Sequence, residues 1–168
     1  SGRWVADDSG IYGTDHNGTR ERICPHAVMP VERLVNIDTG DEKLRIAFNK
    51  GFGWRTLIAD KSVTCSANKI VSLASSGIAV NSETARQMVR YLADLENENL
   101  LQIPERRSVG RLGYIPGQGF SPYVEGLEFD GDGSFRHLFR AVESHGLVTP
   151  WLSAAQEMRR SSQAAKML

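Results

Sequence analysis

The chain has 168 residues, of which 40% are hydrophobic and 24% are charged, the composition of a globular domain rather than a disordered chain. Its 20 Lys and Arg balance its 20 Asp and Glu, so any attraction to nucleic acid or to an anionic membrane has to come from a local patch. Cys24 and Cys65 are too few for a disulfide framework or a cysteine-rich zinc site, and we expect both to be reduced and half-buried in a cytoplasmic protein. No segment is long and apolar enough to cross a bilayer, so no membrane partner is expected.

The first forty residues are predicted to contain short strands. Arg3 to Val5 and Asp8 to Tyr12 indicate two extended pieces that are joined by a turn. A further strand is expected from Val31 to Ile37.

The clearest predicted element is a β-hairpin. Leu44, Ile46 and Phe48 alternate with polar or small residues, which is the period-two pattern of a half-buried strand. The glycines in the loop from Asn49 to Gly53 favour a tight reversal. On the second strand, the residues expected to face the three apolar positions are Trp54, Thr56 and Ile58.

Two helices are predicted in the middle of the chain. The first spans Ser66 to Ser75, with Ser66 as its cap and Gly77 after its end. Its inward residues are expected to be Ile70, Val71 and Ala74. The second runs from Ser82, as its cap, to about Asn97. Its apolar stripe consists of Ala85, Met88, Val89, Leu92 and Leu95.

The remaining elements lie in the last third of the chain. After a polar loop that contains Pro104, a hairpin is predicted from Val109 to Tyr123. Apolar spacing then marks a helix that ends at Gly146, with Phe135, Leu138, Phe139 and Val142. Thr149-Pro150 is a start signal for a final helix. Together the elements predict one α+β domain over residues 1–168, a mainly antiparallel sheet of hairpins packed with three to four helices that are concentrated in the C-terminal half.

Three short motifs invite a catalytic or metal-binding interpretation, and each is better explained by a turn. Asp38-Thr39-Gly40 is the triplet of aspartic proteases, but it runs into charged residues and has no second copy. Asp130 to Ser134 begins like a calcium loop, but Phe135 and Ala141 stand where that loop needs Gly and Glu. The glycines from Gly110 to Gly119 lack the Lys-Ser or Lys-Thr of a phosphate loop. No catalytic residue, metal site or cofactor is therefore predicted.

The histidines do not indicate a site either. They are His16, His26, His137 and His145. Cys24 and His26 have no matching second pair for zinc, and no serine lies in a nucleophile turn. We interpret the four as single surface histidines, and a free-standing hydrolase is not indicated.

The basic residues give the one functional indication. Arg106, Arg107 and Arg111 cluster in a predicted loop and the strand after it, near Tyr114. On the predicted hairpin, the residues expected to share the outer face are Lys43, Arg45 and Arg55, with Lys50 and Phe52 at the tip. Guanidinium groups beside an exposed aromatic ring are typical of single-strand binding. Against this interpretation, the stretch from Glu125 to Asp132 is acidic, and exposed arginines also occur on surfaces that bind nothing.

Four segments, in this order and spacing, resemble the domain of unknown function 927 family. They are Val5 to Tyr12, Gly53-Trp54, Ser75 to Val80, and Gly110 to Tyr114. The tail from His145 to Leu168 is similar to that family's closing helix. Two departures are Tyr114, where tryptophan is expected, and Val148-Thr149-Pro150, where a more acidic helix start is usual.

The resemblance implies that the domain lies just upstream of a helicase-like, phosphate-loop ATPase region, in a protein of a phage or mobile element. The chain stops at about the place where that ATPase is expected to begin, which is consistent with an excised piece. The resemblance brings no catalytic residue with it. The first hypothesis is therefore a non-catalytic accessory domain whose candidate partners are DNA and the downstream ATPase domain.

The second hypothesis is a protein-interaction or oligomerisation module. In it, the final helix docks the ATPase or a second subunit through Trp151, Leu152, Ala155 and Met158, which recur at helical spacing. The alternative is that this stripe closes the core of the domain itself.

Overall fold

The computed structural model describes residues 3–14, 17–131, 133–143 and 146–161, and within them the fold is α+β, as predicted. The strands are β1 (Trp4–Asp7), β2 (Gly10–Thr14), β3 (Arg20–Cys24), β4 (Ala27–Asn36), β5 (Glu42–Asn49), β6 (Trp54–Asp60), β7 (Glu105–Val109), β8 (Gly113–Ile115), β9 (Gly119–Ser121) and β10 (Leu127–Phe129). The helices are α1 (Lys61–Thr64), α2 (Ala67–Ile70), α3 (Ala85–Glu98), α4 (Gly133–Ala141) and α5 (Val148–Ser161), with a 3-10 helix at Val71–Ser76. The described residues thus hold more helices than the three to four expected, and the three longest, α3, α4 and α5, lie in the C-terminal half as predicted.

A five-stranded sheet in the order β10-β7-β4-β5-β6 forms the centre of the fold. β10, β7 and β4 run parallel to one another, while β4, β5 and β6 are antiparallel. The carboxyl ends of β4, β7 and β10 therefore lie together, at what we call the carboxyl end of the sheet. Because β5 runs back along β4, the β5–β6 loop lies at the opposite end, which we call the tip end.

Most strand pairs are antiparallel, as predicted, but the central sheet also has a parallel part that was not expected. β7 occupies the stretch that was predicted to be a polar loop after Pro104, and it pairs with β4 from Arg33↔Glu105 to Asn36↔Ser108. β10 was not predicted and adds a further parallel strand. The predicted hairpin after Val109 is present but shorter, as β8 and β9.

The hairpin of β5 and β6 forms as predicted, but its register differs by one residue. Asn49 pairs with Trp54, so the loop has four residues, 50–53. Phe48 consequently lies opposite Arg55 rather than Trp54. Since cross-strand partners point to the same face, this shift moves every residue of β6 to the face opposite the expected one.

The main core lies between one face of this sheet and the central helices. Ile46 of β5 packs in one buried cluster with Met88 and Leu92 of α3, and burial of each such side chain contributes about 1.5–3 kcal/mol. The stripe predicted on α3 is confirmed, and its Tyr91 donates a hydrogen bond to the Val28 carbonyl at 2.7 Å. A small antiparallel sheet of β1, β2 and β3 covers this core from another side.

The cap and inward residues predicted for the central helices agree less well with the structure than the apolar stripe of α3 does. In the predicted helix after Ser66, the buried residue is Leu73 rather than Ala74, because a 3-10 helix repeats every three residues from Ile70. Ser66 occupies the cap position without a side-chain hydrogen bond. Before α3, Asn81 rather than Ser82 accepts hydrogen bonds from the backbone, at the N–H groups of Glu83 and Thr84.

The two last helices differ in how they pack. Phe139 of α4 contacts Phe129 of β10, with ring centroids 4.6 Å apart, in a second small core. In α5 no residue is buried, and Trp151 is 67% exposed. The expectation that the α5 stripe closes the core of the domain is therefore wrong for the described residues 148–161.

Candidate nucleic-acid interface

Lys43 and Arg45 lie on a face of the sheet where acidic residues surround them. Arg45 Nη2 donates to Glu128 Oε2 at 2.8 Å, and Arg45 Nε lies 3.1 Å from Glu32 Oε2. Lys43 Nζ donates to the Asp130 carbonyl at 2.7 Å and lies 3.4 Å from Asp60 Oδ1. Both cations are thus already neutralised, which leaves little positive potential for a phosphate backbone.

The predicted arginine cluster does not assemble as one patch. Arg106 and Arg107 are consecutive in β7, so their side chains point to opposite faces of the sheet. Arg106 Nε lies 3.8 Å from Glu32 Oε1, whereas Arg107 donates a hydrogen bond to Gln118. Of the two, Arg107 is therefore the one without a carboxylate partner in the described residues.

Arg111 is held by an acidic residue of the Asp38-Thr39-Gly40 triplet. Its Nε and Nη2 donate to the two Asp38 oxygens at 2.8 and 2.9 Å, and this hydrogen bonding with the nearby charge raises the pKa of Arg111. Asn36 Oδ1 accepts from the Asp38 and Thr39 N–H groups at 2.9 and 3.2 Å. The triplet forms a turn, as predicted.

Arg55 stands apart from Lys43 and Arg45. It pairs with the buried Phe48, so it lies on the face of the sheet opposite those two residues, and the predicted shared face is wrong for it. Along the chain, however, it is next to the β5–β6 loop. Arg55 and Lys50 are both exposed, and neither makes an ion pair within the residues that the structure describes.

The β5–β6 loop and the first residue of β6 present two aromatic side chains to solvent. Phe52 is 95% exposed and Trp54 is 53% exposed. Gly51 and Gly53 adopt φ values of +91° and +102°, which favour glycine, and no atom lies within 4 Å of where a Cβ would stand on either. We call Lys50, Phe52, Trp54 and Arg55 the tip.

A second aromatic surface lies on the β8–β9 hairpin. Tyr114 and Phe120 are cross-strand partners and are 66% and 46% exposed. Tyr123 is also exposed, and the Tyr114 carbonyl accepts a hydrogen bond from Arg111 at 3.4 Å. We call Tyr114, Phe120 and Tyr123 the aromatic hairpin. Sequence reasoning found Tyr114 but missed Phe120, which the observed pairing of β8 and β9 places opposite it.

The tip and the aromatic hairpin lie at opposite ends of the central sheet. The aromatic hairpin follows β7 at the carboxyl end, whereas the tip joins β5 to β6 at the tip end. β4 runs between the two ends with ten residues, which corresponds to about 30 Å. The six predicted basic residues therefore do not form one binding surface.

Asp130 is the buried centre of the carboxyl end. Its side chain accepts from Asn36 Nδ2 at 3.1 Å and from Ser108 Oγ at 2.8 Å. The next residue, Gly131, passes so close to β7 that a Cβ there would lie 2.7 Å from the Gly110 carbonyl oxygen and 2.5 Å from Phe129 Cζ. The first residues of the apparent calcium loop thus serve to join the strand ends. Asp132 lies outside the described residues.

The histidines and cysteines also differ from expectation. His26 is buried rather than on the surface, and its Nε2 accepts from the Ala79 N–H at 3.0 Å. Burial lowers its pKa, and the nearby Lys50 adds to this effect. Cys24 is buried, which raises the pKa of its thiol, while Cys65 is exposed, and both are free. His137 is exposed, and His16 and His145 lie outside the described residues.

The described residues hold no group of three or more His, Cys, Asp or Glu placed to bind a metal ion. In the same residues, no helix combines the length and the apolar character that crossing a membrane requires.

Comparisons with known proteins identify a fold likeness only. No family model and no curated protein sequence matches the chain. Among solved structures, the chain is similar to the active helicase Cch of SCCmec type IV, with a TM-score of 0.53 and 20% sequence identity. The match covers 71% of this chain and 21% of the helicase chain, so this chain spans about a fifth of that protein's length.

Proposed function

We propose that this chain is a non-catalytic accessory domain of a helicase-like ATPase and that it binds single-stranded nucleic acid through the tip. Its fold likeness to part of a helicase chain supports the helicase context, as does the resemblance to the domain of unknown function 927 family. In this proposal the parent is a protein of a phage or mobile element, and the ATP-binding groups belong to its ATPase domain.

The observation that carries the proposal is the composition of the tip. A Phe side chain that is 95% exposed gains nothing from the fold, because its ring contacts water on almost every side. Nucleic-acid bases stack on such rings, with a contribution of about 1–3 kcal/mol per base. Lys50 and Arg55 flank the rings as cations that no carboxylate of the described residues neutralises. The tip therefore combines base stacking with phosphate attraction.

This proposal changes the residue set derived from the sequence. Arg55 remains in it, and Lys50, Phe52 and Trp54 join it. Arg107 becomes part of a weaker second locus beside the aromatic hairpin. Lys43, Arg45, Arg106 and Arg111 leave the set, because acidic residues already contact each of them.

The test is fluorescence anisotropy with labelled single-stranded and duplex DNA over a salt series. We expect saturable, salt-dependent binding that favours the single strand. The double variant Phe52→Ala/Trp54→Ala should weaken that binding about tenfold or more, in line with the loss of at least one stacked base. Arg55→Gln should lower the slope of log affinity against log salt by about 1.

Matched controls separate the tip from general surface effects. Leu101 is fully exposed and remote from the tip in the chain, so Leu101→Ala removes an equally exposed apolar side chain and should leave binding unchanged. Lys43→Gln removes a cation that is already paired and should leave the salt slope unchanged. Equal binding by the wild type and the Phe52→Ala/Trp54→Ala variant would rule out the tip as the binding site.

A second candidate function is protein docking through α5. Trp151, Leu152 and Met158 are all exposed, and a helix that buries no residue lacks the packing that usually stabilises helices in proteins. We expect Trp151→Asp/Leu152→Asp to abolish co-elution with the separately produced ATPase domain of the parent, without changing DNA binding. Co-elution that survives this double substitution would exclude α5 as the docking surface.

A further inference from the structure

A cleft of about 710 Å³ lies between the start of α4 and the face of β5 and β6 that is turned away from the main core. Its lining includes Lys43 and Asp60 on the strands, Asp130 and Gly131 after β10, and Arg136 on α4. A smaller cavity of about 200 Å³ adjoins it and shares Arg136 together with Leu57 and Ile58. A cleft of this size is within the range of small-molecule sites, about 300–1,000 Å³.

Arg136 is the unusual residue of this cleft. The side chain is half-buried, and its Nε is shielded from solvent without a hydrogen-bond partner. Within the described residues its guanidinium makes no ion pair. A guanidinium that loses hydration without gaining an acceptor destabilises the protein, so such a group normally has an anionic partner.

The acidic residues around Arg136 are already in use. Both oxygens of Asp130 accept hydrogen bonds from Asn36 or Ser108, and its side chain is wholly buried. Glu128 accepts from Arg45. Asp60 lies nearest to Lys43, on the exposed side of the cleft. Within the described residues, Arg136 thus has no carboxylate partner, and an anion that enters the cleft can pair with it.

We propose that this cleft binds a phosphate monoester. The planar guanidinium of Arg136 donates two parallel hydrogen bonds to phosphate oxygens, and Lys43 lies in the same cleft as a second cation that Asp60 and Asp130 largely neutralise. Ile58, which lies opposite Arg45 on the outer face of β6, supplies an apolar surface for the organic part of the ligand. The inference is independent of nucleic-acid binding at the tip, since the two sites share no residue.

The first test measures thermal unfolding and calorimetric binding at constant ionic strength. The probes are inorganic phosphate, a nucleoside monophosphate, and acetate and chloride as control anions. At ten times the dissociation constant, the phosphate-bearing probes should raise the melting temperature by roughly 3–6 °C, and the controls should not. A lower calorimetric dissociation constant for the nucleoside monophosphate than for inorganic phosphate would support a phosphate monoester as the ligand, whereas equal constants would identify free phosphate and overturn the monoester. If acetate or chloride acts as strongly as phosphate, the site is not specific and the proposal fails.

Variants assign the effect to individual residues. Arg136→Gln should weaken phosphate binding about tenfold or more, and Arg136→Lys should restore it only in part, because an ammonium lacks the planar fork. Asp60→Asn should tighten binding, since it removes a negative charge that competes for Lys43. Arg86 is exposed on α3, so Arg86→Gln is the matched control and should bind as the wild type. Equal binding by Arg136→Gln and the wild type would overturn the assignment.

The melting temperature of the ligand-free protein gives a second test of whether Arg136 lacks a partner within the fold. If Arg136 awaits an anion, Arg136→Met should leave the melting temperature in phosphate-free buffer unchanged or raise it, because it removes an uncompensated charge. A clear fall would show that Arg136 is already satisfied within the fold and would contradict the proposal.

Discussion

The β5–β6 hairpin carries cations at both of its ends, and the two ends differ in whether carboxylates contact those cations. Near the carboxyl end, Lys43 and Arg45 each lie within ion-pair distance of two carboxylates. At the tip, Lys50 and Arg55 have no such contact in the described residues and stand beside exposed rings. Local density of Lys and Arg is therefore a poor guide to a binding surface. What matters is whether the fold brings acidic residues to the same place.

The two ends should also differ in what they contribute to stability. At the carboxyl end, paired charges and buried hydrogen bonds join strands that are far apart in sequence, so substitutions there should destabilise the fold. At the tip, the side chains contact mostly water, so substitutions should change binding and leave stability almost unaffected. The following substitutions test this contrast.

The largest effect is expected from Asp130→Ala. It leaves the Asn36 amide and the Ser108 hydroxyl as buried donors without their acceptor, so the free energy of unfolding should fall by about 3 kcal/mol or more. Urea denaturation gives the value. Asp8→Ala, at an exposed position, is the control and should stay within about 0.5 kcal/mol of the wild type. A loss at Asp130 as small as that of the control would contradict its structural role.

Glu32→Gln should leave Arg45 and Arg106 with fewer carboxylate partners, which makes this part of the sheet more like the tip. Glu32 contacts both Arg45 and Arg106, so its neutralisation frees positive charge on the sheet face, at a cost of about 1–2 kcal/mol in stability. We expect the salt slope of DNA binding to steepen by about 1. Glu42→Gln, at an exposed position on β5, should leave the slope as it is. An unchanged slope for Glu32→Gln would show that acidic pairing is not what keeps this face from binding.

The next effect concerns pH and the buried His26 at the tip end. Burial lowers its pKa below the ordinary 6.5, so the unfolded chain binds a proton more readily than the folded chain. Stability from the neutral ring is therefore complete above pH 6.5 and is lost as the pH falls below it. The melting temperature at pH 7.5 and 5.5 should show this fall, and His26→Gln should reduce it. His137→Gln, on the surface, should retain the full wild-type dependence on pH.

The smallest effect is expected from Asp38→Asn. The Asp38–Arg111 pair is well aligned but exposed to water, and exposed pairs contribute about 0–1 kcal/mol. Chemical denaturation should therefore show a loss of less than about 1 kcal/mol. A loss near that of Asp130→Ala would mean that the turn after β4, rather than the buried network, holds the carboxyl end together.

The sequence predicted the parts of the fold that have a local pattern. The alternation of Leu44, Ile46 and Phe48 identified β5, and the apolar stripe of α3 was confirmed almost residue by residue. The strands β7 and β10 were missed because Glu105 to Val109 begins with charged residues and Leu127 to Phe129 is only three residues long. Neither shows the alternation by which strands are recognised.

The candidate site depends on partners that no local pattern contains. Arg45 contacts Glu128, and Lys43 contacts the Asp130 carbonyl, across 83 and 87 positions of sequence. These contacts exist because β10 returns to the sheet beside β7, which was itself unpredicted. The one-residue error in hairpin register had a local origin instead, since it depends on whether the loop holds four or five residues. Phe52 and Lys50 were placed at the tip correctly because the two glycines mark it.

Gly131 has a consequence for engineering the protein. Any side chain there would collide with the Gly110 carbonyl oxygen and the Phe129 ring, which would push β10 away from β7. In a library randomised along the chain and selected for soluble expression, position 131 should return almost only glycine, whereas position 52 should return nearly every residue. The tip should therefore accept an inserted peptide without loss of the fold, although not of binding, whereas the Asp130-Gly131 step is the place to leave untouched.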